Sequence, residues 1–338
     1  MTSNPRYAFI VGAPRCGTTT LAGFLQQHPD VCFSAVKEPH FFSRDEVAEL
    51  PEDQFRQLVQ EEYLDRFFGQ CSGGEKMRAE GSVTYLYVPE RAARILEIWP
   101  DAKFVIAVRD PLSMLPSLHA RLLVTGDENI RDFRDAWAKV PERAQGKSIP
   151  RSAIDPRWLR YDLAGQLGKN VERFLETVGH DRCHVVVFDD LAADPQGTYR
   201  KLCGFLGIEP WENTSFKAQR VNKSIRIGWL QRFLKRPPKS VRTVLAGEKY
   251  RQREKDLDAK EGKTIAAIFK VRKRLLNWNK IPARREPLDP VVRSQIIERL
   301  RDDVILLSKV IDRDLSNWLG GTPAASPKSA KGDEKASA

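Results

Sequence analysis

The sequence predicts an α/β fold: a P-loop-like, three-layer α/β/α arrangement with a central parallel sheet and a helical C-terminal extension. Three observations predict it. Short apolar runs alternate with helical patterns, as in a parallel sheet covered on both faces. The first run, RYAFIVG (6–12), feeds a glycine loop, GAPRCGTTT (12–20), that opens a helix. Strand signals stop near residue 215, and the chain beyond is basic and mostly helical.

Each element has a local reason. RYAFIVG reads as a buried strand, and TTTLAGFLQQHP as a helix ended by Pro29. DVCFSA is a short second strand. EDQFRQLVQEEYLDRFFG is helical, with apolar residues at 55, 58, 59, 63 and 67. MRAEGSVTYLY reads as strand and loop, and PERAARILEIWP as a helix framed by Pro89 and Pro100. KFVIAVRD (103–110) is an almost purely apolar strand. The helix PLSMLPSLHARLLVTG comes next, kinked by Pro116 unless that residue falls within the first turn or so. WLRYDLAGQLGKNVERFLETVG reads as one helix and CHVVVF (183–188) as a strand. DDLAADPQGTYRKLCGFLGI is loop and helix, with Asp189 read as an N-cap. EPLDPVVRSQIIERLRDDVILLSKVI is a capped amphipathic helix.

With 338 residues, the chain can build one large core or two modest ones. The expected division is an α/β core over 1–215, a basic helical part of the same domain over 216–319, and a disordered tail over 320–338. The five cysteines form no C-x-x-C pair and read as buried free thiols. The five histidines lack metal-ligand spacing, so no metal site is expected. No run reaches the roughly 18 apolar residues of a membrane helix, and the N-terminus moves straight into a strand, so a cytoplasmic enzyme is expected. Between Lys217 and Arg285 there are 22 Lys/Arg against five Asp/Glu, which is +17, although the whole chain is only +11. That excess suits an anionic partner or a solvated basic face.

The glycine loop has the Gly12 and Gly17 spacing of a nucleotide-phosphate loop, and Thr19 at the Ser/Thr position. Its lysine position holds Thr18. Arg15 supplies the cation from the crown of the loop, and Thr18, Thr19 and Thr20 supply hydroxyls. KFVIAVRD points the same way: Arg109, at the strand's C-terminal end, favours an anion over a metal. Ser117 lies eight residues on, a little over two helical turns, where it can join Arg109 on a second phosphate. The pattern fits one nucleotide with anionic groups in two places, such as a 3′-phosphorylated adenosine 5′-phosphosulfate.

These residues resemble the PAPS-dependent sulfotransferases (PAPS is 3′-phosphoadenosine 5′-phosphosulfate). APRCGTTTL resembles the family's 5′-phosphosulfate loop and VRDPLSMLPSLH its 3′-phosphate motif. VVVFDDLAADPQGTYRKLCGFLGI and RLRDDVILLSKVIDRDLSNW extend the likeness over roughly 6–208 and 288–318. The resemblance implies PAPS as donor, bound by Arg15, Cys16, Gly17, Thr18, Thr19, Thr20, Arg109 and Ser117, with no metal. KEPHFFS (37–43) resembles the heparan-sulfate branch and implies Glu38 as catalytic base beside Arg15, with a carbohydrate-like acceptor. His119 is one residue short of the base position of the steroid- and phenol-type enzymes. Gly81 stands where the glycan branch often has lysine. Glu80 and Tyr85 are candidates for the acceptor cleft or for a strand end. Arg220, Asn222 and Lys223 are candidates for a closing loop.

The partners implied are a glycan or glycolipid acceptor and, through the basic stretch, a membrane surface. Nucleic acid is not expected, because aromatics are sparse there and no recognised module is present. Two other readings stand beside this one. A P-loop kinase or NTPase would hold magnesium at Asp189 or Asp190. A non-enzymatic nucleic-acid or membrane-surface binder would use the basic stretch alone.

Overall fold

The computed structural model describes residues 5–216, 223–235, 270–282 and 287–320. Five strands form one sheet: β1 (Arg6–Gly12), β2 (Val31–Phe33), β3 (Met77–Glu80), β4 (Lys103–Val108) and β5 (Cys183–Val187). Their order is β2-β3-β1-β4-β5 and every pair is parallel. Because the strands run the same way, their C-terminal ends share one edge. The order reverses at β1, with β3 on one side and β4 on the other. Ligands bind in such α/β sheets at this kind of crevice.

β1 and β4 are buried along nearly their whole length, as the continuous apolar runs require. Phe9 pairs with Phe104 across β1 and β4, their rings 5.8 Å apart. Phe174 meets Phe104 edge-on at 5.5 Å and so lays its helix on the sheet. The register of β1 against β4 slips between Ile10 and Gly12. A slip of this kind bends a strand, and here it ends β1 just before the glycine loop.

Five described helices reach ten residues: α1 (Thr18–Gln27), α2 (Pro111–Thr125), α3 (Leu167–Val178), α4 (Pro195–Leu206) and α5 (Pro290–Val310). α2 runs through Pro116, its sixth residue, without interruption. The 52–68 segment is helical, with a π turn at Val59–Leu64. Asp289 caps α5, accepting from the amides of Val291 and Val292.

Four expectations are corrected. The 158–179 stretch is not one helix: it breaks into Pro156–Leu159, Tyr161–Ala164 and α3. The cause is tertiary. The Asp303 carboxylate, from α5, accepts from the amides of Gly168 at 2.8 Å and Lys169 at 3.0 Å, so it caps α3 from a distant helix. A Cβ on Gly168 would come within 2.2 Å of the Asp303 carbonyl oxygen, so the glycine permits the approach. Asp189 is not an N-cap: it accepts from Trp318 Nε1 at 3.0 Å, and Asp194 caps α4. Strand structure does not stop at 215, because β6 (Lys223–Ile225) and β7 (Lys280–Pro282) pair antiparallel.

The fourth correction concerns the thiols. Cys32 and Cys71 form a disulfide across 39 residues, while Cys16, Cys183 and Cys203 are free. The bond ties the β2 edge strand to the turn after residues 65–68. No described helix is long and apolar enough to cross a membrane. Most of the basic stretch, with Arg220 and Asn222, and the 321–338 tail lie outside the described residues.

One buried ion pair fixes the wall between α2 and α3. Arg143 Nη1 lies 2.9 Å from Glu128 Oε2, with both side chains at most 1% exposed. Glu128 also accepts from Tyr161 Oη at 2.8 Å and from the amides of Asn129 and Ile130. Removing one partner strands a buried charge. Arg143→Leu is therefore expected to lower unfolding free energy by about 3–5 kcal/mol in a denaturant titration. A loss below about 1 kcal/mol would show that the pair contributes little.

Candidate active site

The glycine loop leaves β1 at Gly12 and enters α1 at Thr18. Gly17 has φ 95°, a left-handed value that glycine adopts without penalty. A Cβ there would also lie 2.7 Å from Leu191 Cδ2, so the turn presses against the segment after β5. No side chain caps the start of α1, and no acidic residue lies in its first turn. The first intrahelical acceptor is the Gly17 carbonyl, which takes the amides of Thr20 and Leu21. The Thr18 and Thr19 amides precede that acceptor, at the positive end of the helix. An anion fits this unfilled cap.

Arg15 also has a left-handed backbone, at φ 68°, unusual for a residue with a side chain. Its side chain crosses to α2, where Nε donates to Ser117 Oγ at 2.9 Å. Arg109, just past β4, donates from Nη1 to the Arg15 carbonyl at 3.1 Å, and its guanidinium lies 4.1 Å from the Phe188 ring centroid. The two anion positions expected from sequence are therefore one connected cluster at the switch point. Ser117 does not bond its own helix; it faces the loop. Thr18 is nearly buried, and Thr19 and Thr20 are half-buried. Cys16 contributes differently from its neighbours. It is fully buried, its thiol lies 3.5 Å from the Pro14 carbonyl, and its amide donates to the Ala13 carbonyl. Burial pushes its thiol pKa up.

Glu38 reaches the same sheet edge from the loop after β2. That loop is pinned to β3 where Gly81 N donates to the Lys37 carbonyl at 3.0 Å. Lys37 Nζ sits 2.6 Å from Glu38 Oε1, and His40 Nε2 lies 3.7 Å from Glu38 Oε2. Burial opposes ionisation of Glu38, but the nearby His40 ring and the Lys37 ammonium outweigh it and hold the carboxyl at about 2. His40 is locked in turn. Its backbone has φ 53°, its N–H donates to Ser82 Oγ at 2.9 Å, and its Nδ1 lies 2.9 Å from Thr84 Oγ1. Phe41 and Phe42 are core residues, as a core turn requires.

Other sequence candidates fall elsewhere. His119 is 4% exposed and its Nε2 lies 2.8 Å from the Ile130 carbonyl. Glu80 and Tyr85 are fully buried, so they support the strand end and do not line a cleft. Burial pushes the Glu80 carboxyl up to about 8. Its Oε2 accepts from Ser82 Oγ at 3.0 Å, behind the His40 loop. The carboxylates that a kinase would turn to magnesium are engaged: Asp189 with Trp318, and Asp190 with Arg313 at 2.7 Å. Asp110 caps α2 through the Leu112 amide at 2.9 Å. Among the described residues, Cys32, Cys71 and Glu75 cluster at metal-ligand separations, but the two sulfurs are bonded to each other. Sequence reasoning missed Ser82 and Thr84 as holders of His40; the signal was the hydroxyl spacing in EGSVTYL.

The sulfotransferase family profile matches residues 8–213. Mouse heparan sulfate glucosamine 3-O-sulfotransferase 3B1 is 28% identical over 207 residues, covering 60% of this chain and 46% of that protein. Human carbohydrate sulfotransferase 15 is 43% identical over 61 residues, 18% of this chain and 11% of that protein. The chain thus spans a little under half the length of the heparan sulfate relatives. The crystal structure of a sulfotransferase from Alicyclobacillus acidocaldarius superposes with a TM-score of 0.59 at 27% identity, covering 94% of this chain and 99% of that one. With the family match spanning more than half of its length and the switch-point cluster lying inside the match, this chain belongs to the sulfotransferase family.

Proposed function

We propose that this protein moves a sulfuryl group from PAPS to a hydroxyl or amine of a carbohydrate-like acceptor. The observation that carries the reading is the Arg15–Ser117–Arg109 cluster beside an uncapped helix N-terminus. In this reading Arg15, Thr18 and Thr19, with the loop amides, hold the 5′-phosphosulfate and stabilise charge on the leaving phosphate oxygen. Arg109 and Ser117 hold the 3′-phosphate, and the basic 216–319 part closes over the cleft. Arg15 remains protonated and so acts by charge and hydrogen bonding, not as a proton donor.

Glu38 takes the proton from the acceptor as the acceptor oxygen or nitrogen bonds to sulfur. The bond from sulfur to the phosphate oxygen breaks, and adenosine 3′,5′-bisphosphate leaves. A sulfuryl group carries less negative charge than a phosphoryl group, so arginine and amide dipoles suit it without added cation charge. The Lys37 contact keeps Glu38 ionised in the free protein. It also weakens Glu38 as a base, so Lys37 must loosen its hold as the acceptor binds. The acceptor partner is read as a glycan or glycolipid, with a membrane surface the partner of the basic stretch. A kinase reading has less support, because Asp110, Asp189 and Asp190 all have other partners.

Calorimetry in metal-free buffer tests donor and base together. Wild type should bind adenosine 3′,5′-bisphosphate, and Arg109→Ala should bind it at least tenfold more weakly. Glu38→Gln should bind it normally and lose transfer by about 10²-fold or more. No binding by wild type sinks the donor assignment; unchanged transfer in Glu38→Gln removes it as base. The pH dependence tests Lys37. Its ammonium lowers the Glu38 pKa, so Lys37→Met should raise it. The acid limb of kcat/KM should then move to higher pH than in wild type. An acid limb that stays in place would show that Glu38 does not set it.

A further inference from the structure

A cavity of about 230 Å³ opens beside the Glu38 loop, and the proposed reaction has not used it. Thr84, Tyr87, Trp158, Leu163, Gln166 and Asn170 are among its walls. Its place is set by Thr84: the hydroxyl lies 2.9 Å from His40 Nδ1, and His40 Nε2 lies 3.7 Å from the Glu38 carboxylate. One imidazole ring therefore separates the cavity wall from the proposed base.

The lining specifies a chemistry. Tyr87 and Trp158 meet edge to face, centroids 5.0 Å apart at 78°, and form an aromatic corner. Tyr87 Oη donates to the Ala164 carbonyl at 3.0 Å, so its polar end is tied back into the protein. Leu163 is 43% exposed at the margin. Asn170 and Gln166 add side-chain amides. The two charged residues of the wall neutralise each other: Arg157 donates to Asp155 through Nε at 2.9 Å and Nη2 at 2.8 Å. The cavity offers no uncompensated cation to a polyanion. It is smaller than the roughly 300–1,000 Å³ of drug-sized sites, so it suits one ring at a time. An aromatic corner with amides at its side matches a ring that has an apolar C–H face and neutral hydroxyl edges.

Resting on the sulfotransfer reading, the geometry points to this cavity as the acceptor site and to an uncharged glycoside with an apolar aglycone as its occupant. A sugar ring fills the Tyr87–Trp158 corner and the aglycone lies along Leu163. The sugar's hydroxyl edge faces Thr84, on the side of the cavity toward the Glu38 loop. With Arg157 paired to Asp155, these walls favour a neutral ring over a sulfated one.

Binding measured without donor separates this proposal from the reaction itself. Octyl β-glucoside below its micellar concentration, titrated by calorimetry, should bind wild type. It should bind Trp158→Ala at least tenfold more weakly and Leu163→Glu at least threefold more weakly. Both variants should keep wild-type affinity for adenosine 3′,5′-bisphosphate, which certifies their folding; Leu163 is exposed enough for its variant to fold if Trp158→Ala does not. A heparin-derived sulfated disaccharide should bind less well than the glucoside. Unchanged glucoside affinity in the variants, or tighter binding of the sulfated disaccharide to wild type, overturns the proposal. Glucoside binding lost in the variants, from a protein that never binds the bisphosphate, would support the pocket while sinking the donor reading.

Discussion

The hydrogen bond from Arg15 Nε to Ser117 Oγ joins two segments 102 residues apart at the crevice where the sheet reverses its order. Much of the site depends on it. The glycine loop needs a cation at its crown, and a loop arginine left to itself would be a mobile surface charge. Ser117 holds the guanidinium against α2, and Arg109 holds the Arg15 carbonyl from beneath. The left-handed backbone of Arg15 is retained because these bonds over-determine it. Preorganisation of this kind is what lets charge stabilise a leaving group without reorganising as it leaves.

The loop that carries Glu38 uses the same device. His40, also left-handed, is held by Ser82 and Thr84 from the end of β3. Parallel strands make this possible: loops after β1, β2, β3 and β4 all emerge on one edge, so residues far apart in sequence converge without long excursions. Glu80 lies behind that edge as a buried carboxyl. Burial pushes its pKa up, and it is linked through Ser82 to the His40 amide. The loop that bears the proposed base, Glu38, is thus supported from the core of the sheet.

Features written in local pattern were legible in the sequence. The apolar strands, the strand-loop-helix around GAPRCGTTT, and the Asp289 cap of α5 each arise from neighbours within a few residues. Arg109 was readable because a strand end fixes where its next residue goes. Features decided by distant contacts were not. Trp158–Gly179 has continuous helical periodicity, yet Asp303 breaks it by capping α3 from a remote helix. Cys32 and Cys71 have no spacing that announces a bond, and only the packing of β2 brings them together. Ser117 read alone is an ordinary helix serine; the Arg15 guanidinium gives it a different task.

Arg15 and Ser117 should therefore act on the nucleotide as a unit, and a double-mutant cycle measures that directly. Adenosine 3′,5′-bisphosphate affinity is compared across wild type, Arg15→Ala, Ser117→Ala and the double variant. Shared function predicts a coupling energy of about 1–3 kcal/mol, with the double variant little worse than Arg15→Ala alone. Losses that simply add, with coupling below about 0.5 kcal/mol, would mean that the loop and the α2 motif bind the nucleotide independently.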